Sequence, residues 1–561
     1  MDEKGKKTNW IISILINAGI AAAVLLLTHM SYETNDDFAI SSRIVDGYSE
    51  VYFINYYLCF LLTKIQNMIP SLNAHVMMQL VLSFISFVCI LKLVMDNCRE
   101  KIVVIAASAL IIFFSIDQYS TIQFTKSAAL MTTAGAMLLI DALIKSRNAF
   151  YYITGFLLFL VGSCLRIEGT VVPFGFAGIY AIAWMIDHRS GLKGFLVERR
   201  KAIISVLGIL IIGAVGLQLA SLWANNRTPE LKEYTAYNSY RTSIVDYSRL
   251  DYYEEQKAEY DKAGFDDFDI KLIKAWMFDY DGAASSENLA KIIQISDGAK
   301  KEGMTLKKAS VEFLKETRKN IRKVTAMGAQ IIVLMLLGIW LMVAGKWSSR
   351  LLVVLSALAA SAMHIMLYFV ERPAYRAFYV PDICAAMFMI YALSELGELP
   401  RWKKAPGIAV ALIALALVFP VYKQSYDTFK SNQKRVMSND SVEYLSNDKD
   451  TFYVVGTREK KSNPGYLIPW KAPDTSIDDN CMGTGSWGTK SPYIMDKLAA
   501  YGMTNPIKDL IDNDRARFIG NKNVKNLTAY LNKWYGKDGK KIYFEEVGKI
   551  DGLKVWAVKS R

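Results

Sequence analysis

Long apolar runs separated by short polar segments dominate the first 422 residues. A bilayer core takes about 20 residues of helix to cross. Eleven runs read as candidate spans: Trp10–Thr28, His75–Met95, Ile102–Ile116, Thr125–Ile144, Tyr151–Leu165, Thr170–Ile186, Ala202–Trp223, Thr325–Ala344, Leu351–Phe369, Pro381–Leu393 and Gly407–Tyr422. The third, fifth and tenth are short. The first is too long for a signal-peptide core and no small-residue cleavage site follows it, so it reads as a retained anchor. From Lys423 the pattern changes. Thr451–Gly456 reads as a buried strand, Pro492–Tyr501 and Asn505–Ile511 as helices, and Arg517–Gly520 as a short strand. Val524–Tyr535 is amphipathic, and Lys541–Val547 and Leu553–Val558 alternate like a hairpin around Asp551-Gly552. The expected fold class is an α-helical polytopic membrane protein with a C-terminal extracytoplasmic α/β domain.

Charge orients the spans. With a cytoplasmic N-terminus, all six inner segments carry Lys or Arg, from Lys4/Lys6/Lys7 through Arg189–Lys201 to Arg401/Lys403/Lys404. Residues 31–74, residues 224–324 and the tail then lie outside. The expected organisation is a seven-span module over 1–223, an outer loop over 224–324, four spans over 325–422 and a soluble domain over 423–561. The expected location is a cell membrane crossed many times. Composition agrees: 52% of residues are hydrophobic and only 21% charged, which excludes a disordered chain and a soluble multidomain enzyme. Six cysteines offer no disulfide framework and no zinc spacing. The net charge of +13 distributes over the inner segments and the tail, so it is no nucleic-acid footprint.

The candidate chemistry is on the outer side. Asp36-Asp37 follows the first span and opens a helical segment, Phe38–Gly47; a second amphipathic stretch, Val51–Ile69, leads to the second span. One reading makes Asn35 or Asp36 a helix N-cap. The other puts two carboxylates at the membrane surface, where one can act as a general base or hold a divalent cation. An acidic pair after the first span, juxtamembrane helices, a polytopic core and a soluble outer tail resemble the glycosyltransferase C superfamily (GT-C). The run Asn35-Asp-Asp-Phe-Ala-Ile-Ser-Ser-Arg-Ile-Val-Asp-Gly looks like the first loop of such polytopic proteins in Gram-positive bacteria, as does Gln123-Phe-Thr-Lys-Ser-Ala-Ala-Leu. The match covers residues 1 to about 223.

The resemblance implies an inverting transferase that takes a sugar from a polyprenyl-phosphate donor to a cell-surface glycan, polymer, lipid or protein. It makes Asp36 the base and Asp37 a helper or metal ligand, with the reverse assignment open, and Asp117 a further acid. A lipid-phosphate leaving group calls for cations at the outer helix ends. Lys126, Arg166, Arg372 and Arg376 are the candidates for the phosphate, and Glu168 and Tyr375 for the substrate. Snorkelling, or mutual pairing of Arg166 and Glu168, is the competing account. No cofactor is required; Mg2+ or Mn2+ at Asp36/Asp37 stays open. The partners implied are the lipid-linked sugar, the acceptor and the bilayer.

Other features read as structural. Tyr234, Tyr237 and Tyr240 have the spacing of a packed helix face, Asp266-Asp267 reads as an N-cap, and Lys307–Lys323 as a basic helix lying on headgroups. Gly483-Thr-Gly-Ser-Trp-Gly resembles a phosphate loop but lacks the Lys-Ser/Thr ending and a preceding strand. The four His form no cluster. The alternative function is a transporter or flippase of lipid-linked saccharides, which calls for charges at mid-membrane. The spans read as almost free of them. A surface anchor ranks third, because eleven spans exceed its needs.

Overall fold

The computed structural model describes residues 3–98, 100–247, 249–537 and 539–561. All eleven apolar runs are helical. In chain order the first half comprises α1 (Glu3–Leu27), β1 (Ser31–Tyr32), α2 (Asn35–Val45), α3 (Tyr56–Met68), α4 (Ala74–Asn97), α5 (Lys101–Ser120), β2 (Thr121–Ile122), α6 (Phe124–Lys145), α7 (Ala149–Leu165), α8 (Glu168–Asp187) and α9 (Leu192–Ala224). The middle segment carries α10 (Pro229–Val245), α11 (Lys257–Lys262), α12 (Asp267–Lys274), α13 (Ser286–Gly303) and α14 (Leu306–Lys323). The bundle resumes with α15 (Ala326–Ala344), α16 (Trp347–Phe369), α17 (Tyr375–Ser394), α18 (Arg401–Ala416) and α19 (Val418–Gln433).

Ten helices among the described residues are long and apolar enough to cross a membrane, counting Arg401–Gln433 as one; α7 is apolar but has 17 residues. Two of the runs read as short, the third and tenth, belong to 20-residue helices, α5 and α17. The polar end of α5, Asp117–Ser120, is buried and the polar start of α17, Tyr375-Arg376, is half-buried, so hydropathy alone ends both too soon. α6 is the axis of the first half. Glycines let it approach α7: a Cβ at Gly135 would lie 2.7 Å from the Gly155 carbonyl, and one at Gly162 2.7 Å from Thr132.

The spans, read as almost free of internal charge, do carry a few charged side chains, most of them in the last turns of α4 and α6. Lys92 contacts Asp96 and Tyr151. Asp141 accepts from Arg147 Nε (2.6 Å), Asn97 (2.9 Å) and Tyr391 OH (2.8 Å). His364 Nε2 lies 3.4 Å from Asp382. A buried charge is tolerable when paired, and here each has a partner on another turn or helix. A single Asp or Lys within a long apolar window barely lowers its mean, which is why the runs conceal them.

The tail contains α20 (Asn439–Asn447), β3 (Phe452–Val455), β4 (Cys481–Gly483), α21 (Pro492–Ala500), β5 (Ala516–Ile519), α22 (Val524–Tyr535), β6 (Ile542–Ile550) and β7 (Leu553–Ser560). Its sheet has the order β4-β3-β5-β7-β6, with β3 parallel to both neighbours and β5-β7-β6 antiparallel. β4 was not legible, and Asn505–Ile511 holds only a 3-10 turn at Lys508–Leu510 instead of a helix. The Asn505 side chain takes the amides of Ile507 and Lys508 (3.0 and 3.1 Å), an Asx arrangement that competes with helix.

The middle segment and the tail are not separate cores. Tyr237, Ile273, Phe278 and Ile292 of the former pack in one cluster with Phe452, Val454, Phe518 and Leu531 of the latter. Asp279 is the polar tie: it is 2% exposed and accepts from Tyr530 OH, Tyr535 OH and Asn505 Nδ2, each at 2.6 Å. Within the joint domain Tyr234 OH donates to the Trp487 carbonyl (2.8 Å). The domain sits against α2: Tyr493 OH donates to Asp46 Oδ2 at the end of that helix (2.6 Å), and Arg43 Nη2 to Ser491 Oγ (3.4 Å).

Asp279→Ala strips an acceptor from three donors, each costing about 1–3 kcal/mol when left buried and unpaired. The variant is expected to lose several degrees in the thermal unfolding of the soluble part, and limited proteolysis is expected to release residues 224–324 and the tail independently. An unchanged midpoint and cleavage pattern would count against Asp279 as the tie.

Candidate active site

The cap position before α2 is Thr34, which is extended (φ −133°, ψ 166°) and makes no side-chain cap bond. The expectation that Asn35 or Asp36 caps the helix is therefore corrected: both lie within its first turn. Thr34 Oγ1 instead donates to Asp36 Oδ2 at 3.2 Å. Ile40 and Ile44 are fully buried and seat the helix. Asp37 is also fully buried. Gln79 Nε2 donates to its Oδ1 (2.9 Å), His75 Nε2 lies 3.0 Å from the same oxygen, and the Phe124 amide donates to Oδ2 (3.4 Å). Asp37 thus ties α2 to α4 and to the start of α6.

Successive helical residues are rotated by about 100°, so Asp36 faces elsewhere. It lines a cavity of about 280 Å3. Arg166 enters this cavity from the α7–α8 turn and Glu168 from the start of α8, Arg372 from the turn before α17 and Arg376 from its first turn, and Tyr247 from the loop after α10. Arg166 Nε pairs with Glu168 Oε2 at 3.2 Å, and its guanidinium carbon lies 5.8 and 5.3 Å from the ring centres of Phe53 and Phe124. Arg372 is 3.9 Å from Asp246 Oδ2 and 5.3 Å from the Tyr247 ring. Among the described residues the Arg376 side chain makes no hydrogen bond or ion pair; it acts at longer range on Asp36 and Arg166.

The electrostatics follow from this crowding. Burial pushes the Asp36 carboxyl above its ordinary value; Arg376 opposes the rise and Asp37 adds to it. Burial pulls the Arg166 guanidinium below its ordinary value; Glu168 opposes the fall, and Arg376 and Arg372 add to it. Three guanidinium groups that disfavour one another around a small cavity favour an anionic occupant.

The remaining sequence candidates lie elsewhere. Lys126 is fully buried and pairs with Glu33 Oε2 and Asp117 Oδ2, each at 2.9 Å. Tyr375 accepts from Gln330 Nε2 (2.7 Å), and its ring lies 5.9 Å from the Lys126 ammonium. Lys126, Asp117 and Tyr375 do not line the Asp36 cavity. Sequence reasoning had no role for His75 and Gln79, which hold Asp37, or for Phe53 and Phe124 beneath Arg166. Tyr247 was visible only as one member of a Tyr/Asp-rich loop.

A divalent cation between Asp36 and Asp37 does not fit these residues. Asp37 spends both oxygens on donors within the protein, and the groups facing Asp36 include three arginines. Among the described residues, no three His, Cys, Asp or Glu side chains converge as a metal site.

No protein-family model and no curated protein matches the chain. Among solved structures, the oligosaccharyltransferase of Archaeoglobus fulgidus, in complex with Zn and sulfate, aligns at 11% identity over 98% of this chain and 73% of that one, with a TM-score of 0.39. A likeness at that level fixes neither a fold family nor an activity.

The raised Asp36 group has a definite linkage sign. A carboxyl whose folded value exceeds its unfolded one stabilises the fold below the unfolded value, and that stability is lost as pH rises through the folded value. Asp36→Asn removes the titration. The melting temperature of the variant minus that of the parent is therefore expected to be larger at pH 7 than at pH 4. An equal difference at both pH values would exclude a raised Asp36.

Proposed function

We propose that this chain is a membrane glycosyltransferase of the GT-C type, acting on a polyprenyl-phosphate sugar at the extracytoplasmic surface. The observation that carries the reading is the convergence of Asp36, Arg166, Arg372 and Arg376 on one cavity where the helix bundle meets the soluble segments. The basic segments at the opposite helix ends support an N-terminus in the cytoplasm, with this cavity and the tail outside. Between the two acids, Asp36 is the better base, because Asp37 is fully buried and its oxygens are engaged.

In this reading the Asp36 carboxylate takes the proton of the acceptor hydroxyl. The acceptor oxygen attacks the anomeric carbon, the bond from that carbon to the phosphate oxygen breaks, and configuration inverts. The electron pair leaves with the lipid phosphate, whose charge Arg166, Arg372 and Arg376 stabilise. Arginine suits this task because it presents planar paired donors and stays charged. The phosphate roles assigned to Lys126 and the acid role of Asp117 have no support of this kind: with Glu33 they already satisfy one another.

A second reading, carriage of a lipid-linked saccharide across the bilayer, is favoured by one observation. His364 and Asp382 are buried inside the bundle, and neither Asp382 oxygen has a hydrogen-bond partner among the described residues. The charged cavity at one end of the bundle ranks the transferase first.

The test is transfer of labelled sugar from a polyprenyl-phosphate donor in membranes carrying the protein. Asp36→Asn is expected to lose at least 100-fold in rate, and Arg376→Gln about 10-fold or more. Full transfer in both Asp36→Asn and Asp37→Asn would sink the reading. Loss of lipid movement in Asp382→Asn proteoliposomes, with transfer never detected, would establish the second.

A further inference from the structure

A second cavity, of about 500 Å3, lies on another face of α2. Asn35, Phe38, Ser42 and Arg43 form one wall, and the tail domain forms the other. The tail contributes the loops that follow β3 and β4, so the cavity opens at the C-terminal ends of two parallel strands. Ligands of open α/β sheets gather at such ends.

Its charge is one-sided. Five cations, Arg43, Arg435, Arg458, Lys460 and Lys461, line it against a single carboxylate, Asp478. Lys460 pairs with Asp478 (3.2 Å), and Lys461 with Asp551 behind the wall (2.5 Å). Arg458 donates to the Lys274 carbonyl (2.7 Å). Arg435 has no side-chain hydrogen bond or ion pair among the described residues. Arg43 is 5% exposed, has no carboxylate within 4 Å among them, and its Nη1 finds no acceptor. It lies 4.3 Å from the Trp487 ring and 4.9 Å from the Tyr493 ring. A guanidinium buried without a counter-ion is costly. The rings supply part of the compensation, and an anion in the cavity would supply the rest.

The glycine-rich run forms one side of this cavity. It does follow a strand, β4, against the sequence reading. Its glycines serve close packing. A Cβ at Gly488 would lie 2.0 Å from Arg43 Nη2, and one at Gly485 2.3 Å from the Trp276 carbonyl. Its amides are already bonded within the protein: Gly485 N donates to Thr457 Oγ1 (2.6 Å) and Ser486 N to Thr489 Oγ1 (2.9 Å). The loop is therefore not a backbone phosphate cradle, and recognition falls to the side chains.

We infer that this cavity is a binding site for a phosphate ester, held by Arg43 and Arg435, whose side chains have no carboxylate partner among the described residues, with the other cations of the rim adding attraction. The size admits a phosphorylated glycerol or sugar unit. The site is independent of the transferase reading; if both hold, it is where an anionic acceptor rests one helix face away from Asp36.

The test titrates full-length protein in zwitterionic nanodiscs with sn-glycerol 3-phosphate and, separately, with a short glycerol-phosphate oligomer, read as ligand-dependent thermal stabilisation. Arg435→Gln combined with Lys461→Gln, both at the cavity rim, is expected to weaken binding at least tenfold. Lys307→Gln, at an exposed position outside both cavities, is expected to leave it within twofold. Tighter binding of the oligomer assigns a polymer-borne phosphate, and equal binding per phosphate a free ester. Failure of both probes to stabilise the parent, or equal binding by the double variant and the parent, would overturn the inference.

Discussion

The contact on which the first half of the structure turns is the buried carboxylate of Asp37. An acidic side chain removed from water must be fully partnered. Here its donors come from α4 and from the start of α6, elements separated from α2 in sequence. A short helix outside the bundle is thereby given one rotation. That rotation turns Asp36 toward the arginines of the α7–α8 turn and of α17, and presents Arg43, two turns further on, to the tail. One desolvated side chain sets the direction in which Asp36 and Arg43 point.

The same rule sorts the cations. Lys126, which the sequence offered as a ligand for phosphate, is consumed by Glu33 and Asp117. Arg376 and Arg435 are not consumed in this way by the described residues. Charges that the protein has already neutralised stabilise it; those it has left under-compensated define where a ligand of opposite sign is welcome. On this criterion two cavities stand out, on different faces of α2.

The helices of the bundle were legible because an apolar run of some 20 residues has few other structures open to it. Their ends were not, since the polar end of α5 is buried, and that of α17 half-buried, by neighbours that hydropathy does not see. Paired charges inside the spans, such as Asp141 with Arg147, escaped for the same reason. In the tail, alternation revealed β6 and β7, while β4, three residues beside a glycine run, left no pattern. Arg166, Arg372 and Arg376 could be singled out as cations where the positive-inside pattern predicts none. That they meet Asp36 in one cavity depends on tertiary packing, as does the arrival of Tyr247 from the middle segment. The shared core of residues 224–324 and the tail had no local signature at all, because each half carries its own amphipathic elements.

That shared core bears on how the protein is made. Residues 224–324 leave the ribosome before α15 to α19, and the strands they pack against follow only after those helices. During synthesis the middle segment must wait with Tyr237, Phe278 and Ile292 uncovered while the rest of the bundle is inserted. Maturation of the soluble face is thus a closing step, taken when the last strand arrives. A chain cut short within the tail would carry a finished bundle and an unfinished surface.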